Sequence, residues 1–130
     1  MLCEPDEQLD RLAFDVIGAP IEIHRHLGPG FLESIYEAAL VVELQKRDIP
    51  FRRQVPVEIL YKDIRVGENR LDLILDETLV VELKAADRLM PIHKAQVVSY
   101  LKALDQPLGL LINFKVNVLR SGIQRVILTN

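Results

Sequence analysis

The segment Arg70-Leu-Asp-Leu-Ile-Leu-Asp-Glu-Thr-Leu-Val-Val-Glu-Leu-Lys84 contains two short apolar runs separated by a polar turn. Runs rich in Leu, Ile and Val predict strands, and these two, 70–75 and 79–84, predict a hairpin. Successive side chains of a strand point to opposite faces, so Glu82 and Lys84 share one face. A charged group near a core is costly unless it is paired or binds a metal. The segment therefore predicts a buried hairpin whose polar side chains need partners.

The rest of the chain predicts helices on both sides of this hairpin. A period near 3.6 predicts helices, and alternation of apolar and polar residues predicts strands. The predicted elements are helices at 8–26 (bent or restarted at Pro20) and 32–47, strands at 54–61, 64–66, 70–75 and 79–84, a helix at 92–104, and strands at 109–113 and 123–128. Turns are expected at 62–63 and 67–69, and Pro56 favours an edge position for the first strand. The order ααβββαββ predicts an α/β fold, a mixed sheet flanked by helices in a single domain spanning residues 1–130.

Composition and charge limit the classes of function. The 130 residues are 49% hydrophobic and 27% charged, as in an ordinary globular protein. The single cysteine, Cys3, excludes an internal disulfide and fits a cytoplasmic setting. Neither a secretory signal nor an apolar run of about 20 residues is present, so no membrane partner is expected. Net charge is −3, with 9 acidic against 2 basic residues over 1–45 and 10 against 14 over 46–130, so the half with the hairpin is mildly basic.

Asp72 and Glu82 are the natural pair of metal ligands in this hairpin. Mg²⁺ and Mn²⁺ prefer carboxylate oxygens, supplemented by water and substrate phosphate. Both acids can face one ion only if the hairpin register sets Asp72 opposite Glu82. That register pairs Leu75 with Leu79 and leaves a three-residue loop, residues 76–78. A two-residue turn would instead place Asp72 opposite Val81, on the wrong face.

Two further motifs make the pattern recognisable. Gly30-Phe-Leu-Glu-Ser-Ile-Tyr36 resembles the signature of the GxxExxY protein family. Asp72, Glu82-Leu-Lys84 and Gln96-Val-Val-Ser-Tyr100, in this order, resemble the signature of the PD-(D/E)XK nuclease superfamily. The resemblance extends over nearly the whole chain, and it implies a restriction-endonuclease-like core that binds a divalent metal, Mg²⁺ or Mn²⁺.

The resemblance also implies roles for individual residues. Asp72, Glu82 and Glu33 would bind the metal, and Lys84 would position or deprotonate the attacking water and offset the phosphate charge. Gln96 and Tyr100 would support the site and contact substrate. Apart from the resemblance, Arg70 lies two residues before Asp72, where it could contact a phosphate or could equally be a solvated strand residue. The candidate site thus has four catalytic residues and three that support it or bind substrate: Glu33, Asp72, Glu82 and Lys84, then Gln96, Tyr100 and Arg70.

Several alternatives stay open at this point. The leading hypothesis is a metal-dependent nuclease that acts on nucleic acid, with DNA favoured, and by analogy a homodimer that grips a duplex. The competing hypotheses are a non-catalytic nucleic-acid-binding or interaction module with the same fold, and an enzyme acting on another phosphate compound. Glu33 could instead cap its helix, because acidic side chains favour the first turn. Tyr36 is interpreted as a packing residue. His24 and His26 do not predict a zinc site, because residues two apart on a helix point to different sides.

Overall fold

A computed structural model of the chain describes residues 5–128, so Cys3 lies outside the described part. The elements of this part are α1 (Glu7–Val16), α2 (Gly18–Leu27), α3 (Glu33–Lys46), β1 (Phe51–Tyr61), β2 (Ile64–Leu75), β3 (Leu79–Lys84), α4 (Pro91–Leu104), β4 (Leu108–Asn113) and β5 (Ile123–Ile127), with a 3-10 turn at Leu119–Gly122. Their order matches the predicted α/β fold, except that the first predicted helix is two helices.

The division between α1 and α2 lies at Ile17, three residues before Pro20. Proline lacks an amide hydrogen and is tolerated in the first helical turn, where that hydrogen has no partner in the helix. Pro20 is the third residue of α2, so the helix restarts just before it. At the other end, Asp6 caps α1, because its carboxylate accepts a hydrogen bond of 2.8 Å from the Leu9 amide.

The five strands form one mixed sheet in the order β1-β2-β3-β4-β5. β3 and β4 are parallel, and the other neighbours are antiparallel. β1 is an edge strand, as Pro56 predicted. The prediction of a break at 67–69 was wrong, because β2 runs through these residues and Gly67 pairs with Ile59. Continuous pairing with β1 outweighs the local turn signal, and the irregularity is a shift of register between Ile59 and Leu60.

Helices cover both faces of the sheet. On one face, α1, α2 and α3 pack against the inward side chains of β3 and β4, such as Val81 and Leu110. On the other face, α4 packs through Val97 and Leu101 against a second cluster that includes Val80. The sheet is therefore the middle of three layers, and α3 and α4 face each other across it. Within residues 5–128, no helix is both long and apolar enough to cross a membrane.

Candidate functional site

The β2–β3 loop sets the register that the site requires. Leu75 pairs with Leu79 and Leu73 pairs with Val81, so residues 76–78 form the connection. Asp76 and Glu77 both have positive φ, 51° and 56°, which such short polar turns accommodate. The predicted three-residue loop is confirmed, and the same register carried one residue beyond the Leu73–Val81 pair brings Asp72 beside Glu82.

β2 changes face at Asp72. Leu73 packs in the core under α1–α3, whereas Leu71, two residues away, packs in the core under α4. Residues two apart on a regular strand lie on one face, so the strand must rotate between them. The neighbouring residue on β1, Gln54, has a φ of 48°, which is uncommon for a residue other than glycine. Both β1 and β2 are therefore distorted at the level of Asp72, and at this level β2 separates from β3.

Asp72 and Glu82 occupy the fork that opens between β2 and β3. The Asp72 amide donates a hydrogen bond of 2.7 Å to Glu82 Oε1, and the Leu83 amide donates one of 2.8 Å to Asp72 Oδ2. Each carboxylate therefore binds the main chain of the other strand where strand-to-strand pairing has ended. The bonds satisfy backbone groups that would otherwise be unpaired in a partly buried place. They also hold both acids side by side, as the sequence predicts.

This arrangement disfavours full ionisation of the pair. Glu82 is only 3% exposed, and its burial, together with the charge of Asp72, raises its pKa to about 7. The pKa of Asp72 is raised as well, first by burial. Hydrogen bonds from the main chain and the nearby ammonium of Lys84 act in the opposite direction and do not cancel the effect. Two acids close together with too little compensating charge are a favourable place for a cation.

Lys84 lies on the same side as Glu82, between that carboxylate and α4. Its Nζ is 3.9 Å from Glu82 Oε2 and donates a hydrogen bond of 3.2 Å to Gln96 Oε1. One turn further along α4, the Tyr100 hydroxyl donates to the main-chain carbonyl of Arg70 at 3.1 Å. Burial, followed by the charges of Glu82 and Asp72, raises the pKa of Tyr100 to about 12, so the phenol stays neutral. The structure thus brings the ExK strand and the Gln96/Tyr100 face together.

Glu33 reaches the site from the opposite layer. It is the first residue of α3, and its Oε1 accepts a hydrogen bond of 3.3 Å from the amide of Ala85, directly after Lys84. Tyr36 fixes the preceding loop, because its buried hydroxyl donates to Gly28 O at 2.5 Å and accepts from Phe31 N at 3.1 Å. The tyrosine of the GxxExxY motif therefore holds the loop that leads into the helix on which the glutamate of the same motif lies.

Glu37 is a residue near the site that sequence reasoning missed. It lies one turn after Glu33 on α3, is 8% exposed, and its charge contributes to the raised pKa values of Asp72 and Glu82. Its carboxylate accepts hydrogen bonds from Gln54 Nε2 at 2.7 Å and from Arg53 Nε at 3.1 Å. The signal available in the sequence was the spacing of four residues from Glu33, which puts both acids on one helix face.

Arg70 lies beside the site but its guanidinium points along β1. It donates to Gln54 O at 3.2 Å and lies 3.9 Å from Glu68 Oε2. The side chain is exposed, so a role in phosphate contact stays a prediction. His24 and His26 lie elsewhere, bonded to Val116 O and Glu22.

The donor set of the fork fits a hard divalent cation. Asp72 Oδ2 and Glu82 Oε1 are bonded to the main chain, whereas Asp72 Oδ1 has only a 3.4 Å contact from Gln54, and Glu82 Oε2 is 3.9 Å from Lys84 Nζ. One oxygen of each acid is thus free to accept a cation. Within residues 5–128 no group of three or more His, Cys, Asp or Glu side chains forms a metal cluster, so Glu33 does not complete a three-carboxylate set with this pair.

Comparison with known proteins identifies the family. Residues 10–126 match the family model of the PD-(D/E)XK nuclease superfamily. Comparisons with curated proteins and with solved structures gave no match. The mixed five-stranded sheet with helices on both faces agrees with the restriction-endonuclease-like fold predicted from the sequence, whereas the GxxExxY assignment stays a prediction. Because the match covers nearly all of the chain, the protein belongs to the PD-(D/E)XK nuclease superfamily.

Proposed function

We propose that the protein is a divalent-metal-dependent nuclease that hydrolyses phosphodiester bonds of nucleic acid, with DNA as the favoured substrate. The observation that carries the proposal is the fork, where Asp72 and Glu82 bind each other's strand and Lys84 lies beside them. A structural ion pair would balance its charges, but here a buried acid, Glu82, and a half-buried acid, Asp72, face one ammonium, and both acids have raised pKa values. Membership of a nuclease superfamily supports the same chemistry.

Asp72 and Glu82 would hold Mg²⁺ or Mn²⁺ through their free oxygens, Asp72 Oδ1 and Glu82 Oε2. A bound cation of this kind would supply Lewis-acid stabilisation of the phosphoryl oxygens and a lower pKa for a bound water. The two main-chain bonds keep the carboxylates in place before any ligand arrives, so little reorganisation is required. Glu33 and Glu37 lie one turn apart on α3. They would contact the edge of the same site through bound water and would not bind the metal directly.

Lys84 would offset the charge of the scissile phosphate and orient the attacking water. An ammonium is a compact point charge with three donors, so it can contact Gln96 and a phosphate oxygen at the same time. Gln96 Oε1 holds the ammonium toward the fork at 3.2 Å. Tyr100, whose phenol stays neutral, donates to the Arg70 carbonyl and thereby holds β2, just before its distortion at Asp72, against α4.

The test is cleavage of labelled single-stranded DNA, duplex DNA and RNA by the purified chain with Mg²⁺ or Mn²⁺. We expect metal-dependent cleavage that falls about 100-fold or more in Glu82→Gln and Lys84→Ala. The matched control is Lys102→Ala, which removes an exposed lysine near the other end of α4. Circular dichroism establishes that each variant is folded, and light scattering measures whether a homodimer forms.

The outcomes separate the hypotheses. Cleavage that persists unchanged in both site variants would come from a contaminant and would refute the proposal. A folded wild-type protein that binds nucleic acid but leaves every substrate intact would support the non-catalytic binding module instead.

A further inference from the structure

The main chain directly after the ExK motif is held by the end of the neighbouring strand. The Lys84 carbonyl accepts a hydrogen bond of 2.9 Å from the Phe114 amide. Two residues on, both main-chain groups of Ala86 are bound by one side chain: the Ala86 amide donates to Asn113 Oδ1 at 3.0 Å, and Asn113 Nδ2 donates to the Ala86 carbonyl at 2.9 Å. β3 therefore leaves the sheet along a path that Asn113 and Phe114 define.

Asn113 is itself held rigidly. It is 2% exposed and ends β4, where it is the register partner of Lys84 in the parallel pair. Its Oδ1 accepts a further hydrogen bond of 3.2 Å from the Lys115 amide. On the main-chain side it packs against Gly122, where an added Cβ would lie 2.2 Å from the Asn113 carbonyl oxygen. Because the Asn113 side chain has so little freedom, it can fix the position of the main-chain groups that it binds.

Asparagine is well suited to bind both main-chain groups of Ala86. An amide side chain has an acceptor oxygen and a donor nitrogen about as far apart as the two groups of a peptide, so it can bind both groups of one residue. A carboxylate lacks the donor, and an aliphatic side chain would leave the partly buried main-chain groups of Ala86 without these bonds. None of the three Asn113 hydrogen bonds goes to a side chain of the fork, so its effect must pass through the main chain.

We propose that Asn113 is a positioning residue for Lys84. By fixing the main chain of residues 84–86, it fixes the Cα from which the Lys84 side chain extends, and so keeps the ammonium between Glu82 and Gln96. Loss of the Asn113 side chain frees the connection to α4 and lets the ammonium move toward solvent. The catalytic consequence rests on the proposed nuclease function, whereas the position of the ammonium does not.

The experiment measures the accessibility of Lys84 directly, by acetylation of the metal-free full chain with an amine-reactive ester and quantitation by peptide mass spectrometry. We expect Asn113→Ala to raise the acetylation rate of Lys84 severalfold relative to Lys102 in the same molecule. Gln96→Ala, which removes the partner of the ammonium, should raise it to a similar level. Asp6→Ala removes the cap of α1 and lowers thermal stability at a distance, so it should leave the rate unchanged.

Asn113→Ser serves as the second variant if the alanine variant does not fold. A folded Asn113 variant whose Lys84 rate equals that of wild type would overturn the proposal, as would the same increase in Asp6→Ala. Where nuclease activity is present, kcat should fall about tenfold, since small displacements of a catalytic group are costly, with KM within about twofold. If the wild type cleaves nothing, the proposed function fails while the acetylation rates still decide the role of Asn113.

Discussion

Replacement of Glu82 by glutamine should make the metal-free protein more stable at alkaline pH. The glutamine is nearly the same shape, and its carbonyl oxygen can still accept the 2.7 Å hydrogen bond from the Asp72 amide. What the substitution removes is a charge that is buried beside another acid. Because the folded chain raises the pKa of Glu82 from 4.5 to about 7, that charge opposes folding.

The sign and size follow from linkage between protonation and folding. Between pH 4.5 and about 7 the folded state binds more protons at Glu82 than the unfolded state, so this group lowers the free energy of unfolding as pH rises. Above pH 7 the full difference between the two pKa values applies, about 3 kcal/mol at 1.4 kcal/mol for each pH unit. The pKa of about 7 already includes the attraction between Glu82 and Lys84, so we expect the variant to gain about 3 kcal/mol at pH 8 and nothing near pH 4.

Urea denaturation in EDTA at pH 4, 6 and 8 measures this difference for wild type and variant. Glu58→Gln is the matched control, because Glu58 is an exposed glutamate whose ion pair with Arg65, at 3.6 Å, should contribute little. Comparison at each pH removes the background from Asp72, whose raised pKa acts with the same sign. If Glu82→Gln is less stable than wild type at pH 8, or if its effect does not change with pH, the electrostatic account of the fork is refuted.

Three further substitutions test other parts of the structure. Asp72→Asn should weaken Mn²⁺ binding in calorimetry at least tenfold, since it removes half of the carboxylate pair; undiminished affinity would place the metal elsewhere. Tyr36→Phe should lower the free energy of unfolding by about 1–2 kcal/mol, because it removes the hydroxyl that donates to Gly28 O, and an unchanged urea midpoint would contradict this. Gly109→Ala should lower the free energy of unfolding by about 1–3 kcal/mol in the same assay, because the added methyl would lie 2.9 Å from Val97 Cγ1. An unchanged free energy of unfolding would show that Val97 can shift to make room for the methyl.

Sequence reasoning succeeded where local pattern and tertiary structure agree. The register of the 70–84 hairpin followed from the requirement that two acids share one site, and the structure has the predicted loop at 76–78. The edge position of β1 followed from Pro56. In the hairpin, the need for both acids to lie on one face excluded the two-residue turn. In β1, the missing amide hydrogen of Pro56 disfavoured a central position in the sheet.

The same reasoning failed where long-range pairing overrides local signals. Gly67-Glu68-Asn69 predicts a turn, but its pairing with β1 keeps it in the sheet. The face change at Asp72 could not be predicted, because periodicity assumes a regular strand, and Leu71 and Leu73 pack on opposite sides. Glu37 was missed for a related reason, since its nearness to the fork depends on how α3 packs on the sheet.

Asp72 and Glu82 are both the source of the expected pH dependence and the proposed metal ligands. If the only role of Asp72 and Glu82 were to satisfy the unpaired amides of the fork, glutamine and asparagine could accept the same bonds without the penalty of buried charge. The chain instead carries two carboxylates whose ionisation opposes its own folding. Groups that lower stability persist where they are needed for something else, and stability is commonly exchanged for function at active sites. A Glu82→Gln variant that is more stable than wild type at pH 8 would show that the charge of Glu82 is destabilising. If the same variant fails to bind Mn²⁺, it would also show that this charge is needed to bind the cation.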